Sequence, residues 1–431
     1  MEETTTKPHQ TVGYLELVRK NGNFRNLWFG QIISLLGDWF NLIASASLIG
    51  SLTQSGVAVG GLFVVRMLAP FLVSPVAGVF ADRYNRKILL ILSDLLRAMV
   101  VCGFLFVREP GQVWLLYALT AIQLGISGFF FPTRSAILPD IVSQQELGAA
   151  NALGSATWSI MLSLGAALGG IVAGKWGIYP SFGIDSLTFL ISAAFISRVT
   201  YSMPDLGRQP SGSVVDALKE YAEGIRYLLD HKEILAIASL KSANSLATGA
   251  FQVVQVVLAE QVYVIGEGGS TGLGLLYAIV GAGTGFGPIW ARKFTGDHNQ
   301  KMRVAIAISY FIATTGLLMV APLPGFVLVL VGTFLRGLGG GVNWVFSTQL
   351  LLQLVPGRVR GRVFATEYAL MTLASAIAAY LGGWGMDRPS IGMSTSIWGM
   401  AALTILFGLL WTLWLAFRMK VGRSEDDLSP L

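Results

Sequence analysis

Long apolar stretches dominate the chain, each closed at both ends by a few polar or turn-forming residues. Twelve of them follow one another, at about 26–51, 57–80, 88–107, 112–132, 151–173, 180–200, 234–259, 272–291, 303–322, 325–348, 364–385 and 394–417. Each is near the ~20 helical residues that cross a bilayer core, and lipid offers backbone groups no partner outside a helix or a closed barrel. The pattern predicts an all-α membrane protein of twelve transmembrane helices. Its sharpest polar break, Asp82-Arg83-Tyr84-Asn85-Arg86-Lys87, reads as a tight loop between the second and third spans.

Composition agrees with this reading. Charged residues make up 13% and hydrophobic ones 53%, with a mean hydropathy of +0.63, where a soluble chain carries about a quarter charged residues. With both termini placed in the cytoplasm, only Arg108, Lys175 and Arg388 fall in outer loops. Arg66, Arg97, Lys241 and Arg336 fall within spans, and all other basic residues lie on the inner side. That asymmetry predicts a multi-pass topology with both termini in the cytoplasm. It also accounts for the net charge of +6 without nucleic acid, because the basic residues are scattered over short loops. The N-terminus lacks a basic-apolar-small cleavage pattern, so the first span is expected to direct insertion. Cys102 alone forms no intramolecular disulfide, and His9, His231 and His298 sit outside the strongest apolar runs. No metal, no cofactor and no enzymatic chemistry is expected, since no metal cluster, phosphate loop or nucleophile–base pair is evident.

The long connection at 201–233 divides the chain into halves at 26–200 and 234–417, flanked by an N-terminal segment 1–25 and a tail 418–431. Within the connection, Val215, Leu218, Tyr221, Ala222, Ile225, Leu228 and Leu229 share one helical face opposite Lys219, Glu220, Glu223 and Arg226. This amphipathic helix lies either on the membrane surface or against the cytoplasmic ends of the bundle. The halves echo each other. Gly78 to Arg83 after span two matches Gly287 to Arg292 after span eight, and Leu168-Gly169-Gly170 in span five matches Leu381-Gly382-Gly383 in span eleven. Such echoes are expected of a duplicated transporter.

The order Gly-x-x-x-Asp-Arg-x-x-Arg-Lys from Gly78 to Lys87 resembles the signature between helices 2 and 3 of the major facilitator superfamily. Further segments narrow the resemblance: Phe131-Pro132-Thr133-Arg134 with Glu146-Leu147-Gly148-Ala149-Ala150-Asn151, Phe182-Gly183-Ile184-Asp185-Ser186-Leu187, Glu223-Gly224-Ile225-Arg226-Tyr227, and Gln353-Leu354-Val355-Pro356 with Arg360-Gly361-Arg362-Val363-Phe364. Together they are similar to the drug:proton antiporter branch that includes the enterobactin exporter and the macrolide efflux proteins. The resemblance implies two pseudo-symmetric six-helix halves, a monomer, and export of a small organic compound driven by proton entry. It assigns Gly78, Asp82, Arg83, Arg86 and Lys87, with Asp94 and Arg97 as their partners, to a cytoplasmic gate. The antiporter motif Gly-Pro-x-x-Gly-Gly is met by Gly165-Ala166-Ala167-Leu168-Gly169-Gly170, so the glycines Gly165, Gly169 and Gly170 remain for helix packing while the proline that bends span five is lost. The run Gly281-Ala282-Gly283-Thr284-Gly285-Phe286-Gly287 looks like a nucleotide loop, but no strand precedes it, and helix packing is the expected role.

Ionisable residues in the bilayer are costly and are expected to face a cavity or a partner. Asp38, halfway along span one, is the candidate for proton coupling. Arg66 and Arg336 either pair with it or attract an anionic group on a substrate. Locked against an arginine, Asp38 would stay ionised and carry no proton. Asp185 and Glu367 are expected at the interfaces with structural roles, and Lys241 is expected to snorkel to the inner surface. In the family, spans one, four, seven and ten line the cavity, which points to Gln31, Gln123, Asn244, Gln252, Asn343 and Trp344, with Trp158 from span five. An apolar pocket with a few fixed polar contacts suits an amphipathic drug, macrolide or siderophore. The alternatives are a lysophospholipid flippase or uncoupled carrier of the same fold, and a membrane receptor or scaffold.

Overall fold

The computed structural model describes residues 13–202, 214–323 and 325–426. The side chains of Gly78, Asp82 and Arg83, three of the expected gate residues, lie outside those described. Helices account for nearly all of it, and no strand occurs among the described residues. In chain order they are α1 (Tyr14–Lys20), α2 (Gly22–Thr53), α3 (Gly56–Arg83), α4 (Arg86–Gly103), α5 (Val113–Ile141), α6 (Gln144–Ile160), α7 (Ala166–Trp176), α8 (Ile178–Ser197), α9 (Val214–Asp230), α10 (Lys232–Thr248), α11 (Phe251–Val257), α12 (Ser270–Thr295), α13 (Asn299–Val320), α14 (Phe326–Leu354), α15 (Gly357–Met386) and α16 (Gly392–Asp426).

Polar residues between the apolar stretches start the helices by satisfying their first N–H groups. Asn85 accepts from the amides of Lys87 and Ile88 at 3.0 and 3.3 Å. Ser143 and Glu146 form a reciprocal capping box at the head of α6. Among the described residues, eleven helical segments are long and apolar enough to cross a membrane. The remaining expected span, 234–259, is not one unbroken helix. It divides into α10 and α11 at Gly249 and Ala250, where Gly249 lies against the backbone of Ser375 and an added Cβ would come within 3.1 Å of Ala378. Hydropathy reports the apolar run, and it is blind to this tertiary contact.

Two sets of helices pack by the same scheme. In the first, α2 lies on α7 and α8, α4 on α5 and α8, and α3 on α5; in the second, α10 lies on α15 and α16, α13 on α14 and α16, and α12 on α14. The sets meet where α3 contacts α15 and α7 contacts α12. Glycine permits the second approach: a Cβ on Gly170 would lie 2.7 Å from the Cα of Gly274. Gly165 and Gly169 pack on Trp39 and Phe40 of α2, and Gly283 and Gly287 on α14, all as packing positions. Span five carries no proline, yet it is not regular. Met161–Gly165 is a π turn joining α6 to α7, one of the few devices that distort a helix without proline.

The amphipathic helix α9 packs on α15, while Ile225 and Leu229 of its apolar face stay exposed. Gly224 sits against the carbonyl of Arg362, and Glu223 pairs with Arg362 at 2.6 Å.

Candidate functional site

A cavity of about 760 Å³ lies between the two sets of helices. Trp158 and Leu162 line it from α6 and the π turn, Asn244 and Thr248 from α10, Thr284 and Gly285 from α12, and Arg336, Trp344 and Gln349 from α14. These residues run from the middle of α14 to its last turn. The cavity therefore extends to the end of the bundle that carries the basic loops. There Gln349 donates to Asp297, in the loop between α12 and α13, at 2.8 Å.

Toward the opposite end the two sets are tied together by hydrogen bonds. Asp387, just past α15, accepts from the Ser55 hydroxyl at 2.6 Å and the Val57 amide at 3.0 Å, and also from the Gly56 amide, capping α3. Thr271 of α12 donates to the Gly170 carbonyl at 3.1 Å, and Ser163 to that of Ala278 at 2.9 Å. Side chains from one set thus hold backbone groups of the other here.

Of the residues expected to line the cavity, Trp158, Asn244, Trp344 and Arg336 do so. Gln31, Gln123 and Asn343 are buried elsewhere in the bundle, and Gln252 is half-buried on α11 without reaching the cavity. Arg336 stacks on the Phe251 ring at 4.6 Å. It forms no ion pair among the described residues, and its Nε and the hydroxyl of neighbouring Tyr277 are both buried without a hydrogen-bond partner. Lys241 does not snorkel. It is buried and pairs with Glu367 at 3.1 Å, with its ammonium 4.7 Å from the centre of the Trp344 ring. Glu367 is accordingly a buried partner and not an interfacial residue, because the pair lets both charges leave water together.

A second polar cluster lies among α2, α4 and α8. Arg97 is bonded to Asp94 and stands 3.7 Å from Asp38. Its guanidinium is held between the rings of Phe189 and Phe130, at 4.2 and 4.7 Å. Asp94 and Arg97 were expected as partners of the loop at 82–87. They are instead buried and turned toward Asp38, because the apolar stripe of α4 leaves this polar face directed into the bundle. Arg86 pairs with Asp140 at 2.6 Å, at the end of α5, and Lys87 is half-buried beside it. Arg66 lies near Asp38, as its electrostatic neighbourhood records, but makes no ion pair among the described residues.

Asp185 is the residue that sequence reasoning placed least well. It is fully buried, and it faces α2 where Gly37 leaves room for its carboxyl. The one usable signal was Gly37 itself, a residue without a side chain immediately before a charged residue in mid-span.

The comparisons with known proteins agree with this architecture. The chain is 26% identical over 418 residues to the MFS-type transporter YfiS of Bacillus subtilis (strain 168), covering 91% of this chain and 93% of that one. It is 22% identical to the putative bacilysin exporter BacE of Bacillus amyloliquefaciens, over 83% of this chain and 88% of the relative. It is also 22% identical to macrolide efflux protein A of Streptococcus pyogenes, over 85% and 89%. Among solved structures, the nucleoside transporter NupG superposes with a TM-score of 0.67 at 11% identity, over 90% of this chain and 98% of that one. A bacterial homologue of the iron transporter ferroportin, in an inward-facing state, gives 0.66 at 15%, over 91% and 98%. The family model described as Major Facilitator Superfamily matches residues 27–365, and this multi-pass membrane chain, a transporter of small molecules and not an enzyme, belongs to that superfamily.

Proposed function

We propose that the protein exports a small amphipathic organic compound bearing an acidic group, across the inner membrane and in exchange for protons. The observation that carries the reading is Arg336, a cation without a carboxylate partner among the described residues, in a cavity walled by Trp158, Leu162 and Trp344. An apolar body would rest on the two indoles. Its anionic end would meet the guanidinium, with the Tyr277 hydroxyl as a further donor.

The relatives' printed names, a bacilysin exporter and a macrolide efflux protein, support the outward direction. With the basic end read as cytoplasmic, substrate enters from inside while Asp387 holds the outer end shut. Rocking of the two helix sets about the cavity would then open it outward, with Asp82, Arg83, Arg86 and Lys87 closing the inner face. Protons are proposed to enter through the acidic cluster of Asp38, and the working unit is read as a monomer.

The test is substrate-evoked proton movement in liposomes, over a panel of siderophores, macrolides and lysolipids. Proton flux is expected with an acidic member of the panel, reduced at least tenfold in Asp38→Asn. Arg336→Gln is expected to lose the acidic compound and keep a neutral analogue. Movement of compound without protons would overturn antiport in favour of an uncoupled carrier or flippase.

A further inference from the structure

We infer that Asp185, and not Asp38, is the carboxyl that holds the proton in the cluster around Arg97. The inference rests on the proton-coupled reading above for its role in transport, and on geometry for its placement.

Three carboxyl groups, Asp38, Asp94 and Asp185, surround the single guanidinium of Arg97. Arg97 is already committed twice, bonded to Asp94 and 3.7 Å from Asp38. Asp185 is left over. It is 0% exposed, and neither of its oxygens accepts a hydrogen bond. The charged groups facing it are accounted for element by element. Asp38 stands on α2, with the neutral Asn41 amide beside it; Asp94 and Arg97 stand on α4; Arg66 reaches in from α3. Helix α7 carries only Lys175, exposed at its far end, and the turn Phe104–Phe106 carries none.

An ionised carboxylate beside a second carboxylate, with no hydrogen bond and no cation within 4 Å among the described residues, is not sustained in an apolar interior. Asp185 therefore stands as the neutral acid. Asp38, paired with Arg97, stands as the carboxylate, and its side chain is 23% exposed where those of Asp94 and Asp185 are closed off. Release follows from this division. The O–H bond of Asp185 breaks and its proton passes to the Asp38 carboxylate. Arg97, freed by neutral Asp38, takes up the charge left on Asp185. Asp38 then gives the proton to water at its exposed side, and loading reverses these steps. Asp38 is the doorway, and Asp185 is the store.

The experiment is infrared difference spectroscopy of the carboxylic-acid C=O stretch at neutral pH. It uses the full-length protein in lipid as wild type, Asp38→Asn, Asp185→Asn and Asp185→Glu. A band present in wild type and in Asp38→Asn, lost in Asp185→Asn and restored at a shifted position in Asp185→Glu, is the expected result. Survival of the whole band in Asp185→Asn, or its loss in Asp38→Asn, would overturn the inference. Substrate-evoked proton flux on the same samples separates the two claims. An Asp185 band in a wild type whose substrates move no protons would uphold the assignment and overturn antiport.

Discussion

The two helix sets share a packing scheme yet arrange their paired buried charges differently. In the second set, Lys241 and Glu367 form a matched pair braced by Trp344. In the first, three carboxyls share Arg97, with Arg66 near but unpaired among the described residues. A balanced pair has one favourable arrangement and acts as a fastener. An unbalanced cluster has several arrangements of nearly equal energy, and moving one proton or one guanidinium selects among them. Duplication of a fold thus supplies two frames, of which the first carries the shared cluster of carboxyls.

The largest expected effect comes from unbalancing the fastener. Lys241→Met leaves Glu367 buried without a partner, which costs about 3–5 kcal/mol. The combined change with Glu367→Leu should recover most of that loss in a thermal unfolding measurement. A single variant as stable as wild type would erase the contrast between the sets. A smaller effect is expected at the outer seam, where Asp387→Asn weakens the cap on α3 by about 0.5–2 kcal/mol. The population open toward the basic end should fall, as read from distances between spin labels placed across the seam. An unchanged distribution would show that glycine packing alone holds that end.

The smallest effect concerns Asp297, at the cavity mouth outside the membrane. Its hydrogen bond from Gln349, and then the charge of Arg292, hold its carboxyl below the ordinary carboxylate range. A depressed value in the folded state means that the contribution is present above the ordinary carboxylate range and is lost as pH falls through the folded value. Gln349→Ala should move the Asp297 titration upward, followed by the carboxyl carbon shift in NMR. No movement would assign the effect to Arg292.

The helical stretches were legible because apolar length is a local property. Eleven span as expected, and the break at Gly249 and Ala250 was hidden because it depends on α15. The charged residues divide in the same way. Asp38 stood out in mid-span, and the three-residue spacing put Asp94 and Arg97 on one face of α4, though they read as partners of the 82–87 loop and not of each other. Their direction did not follow from spacing, since either side of α4 could have faced the 82–87 loop. Asp185 read as interfacial from its distance to a helix end, while its burial is set by Gly37 on a helix far away in sequence. The Lys241–Glu367 pair is hidden for the same reason. Trp158, Asn244, Trp344 and Arg336 were recoverable from span position, whereas Gln31, Gln123 and Asn343 show that a polar residue on a cavity-lining span need not face the cavity.

The π turn at Met161–Gly165 has a consequence for angular phase. Each residue of an α-helix advances the side-chain direction by about 100°, and a single wider turn delays everything beyond it. The residues before it, Ser155, Trp158 and Ser159, address the cavity. Gly165 at its end, with Gly169 and Gly170 beyond it, addresses α2 and α12. One span thereby presents two faces in different directions, and the offset between them is written in a change of winding that needs no proline in this span.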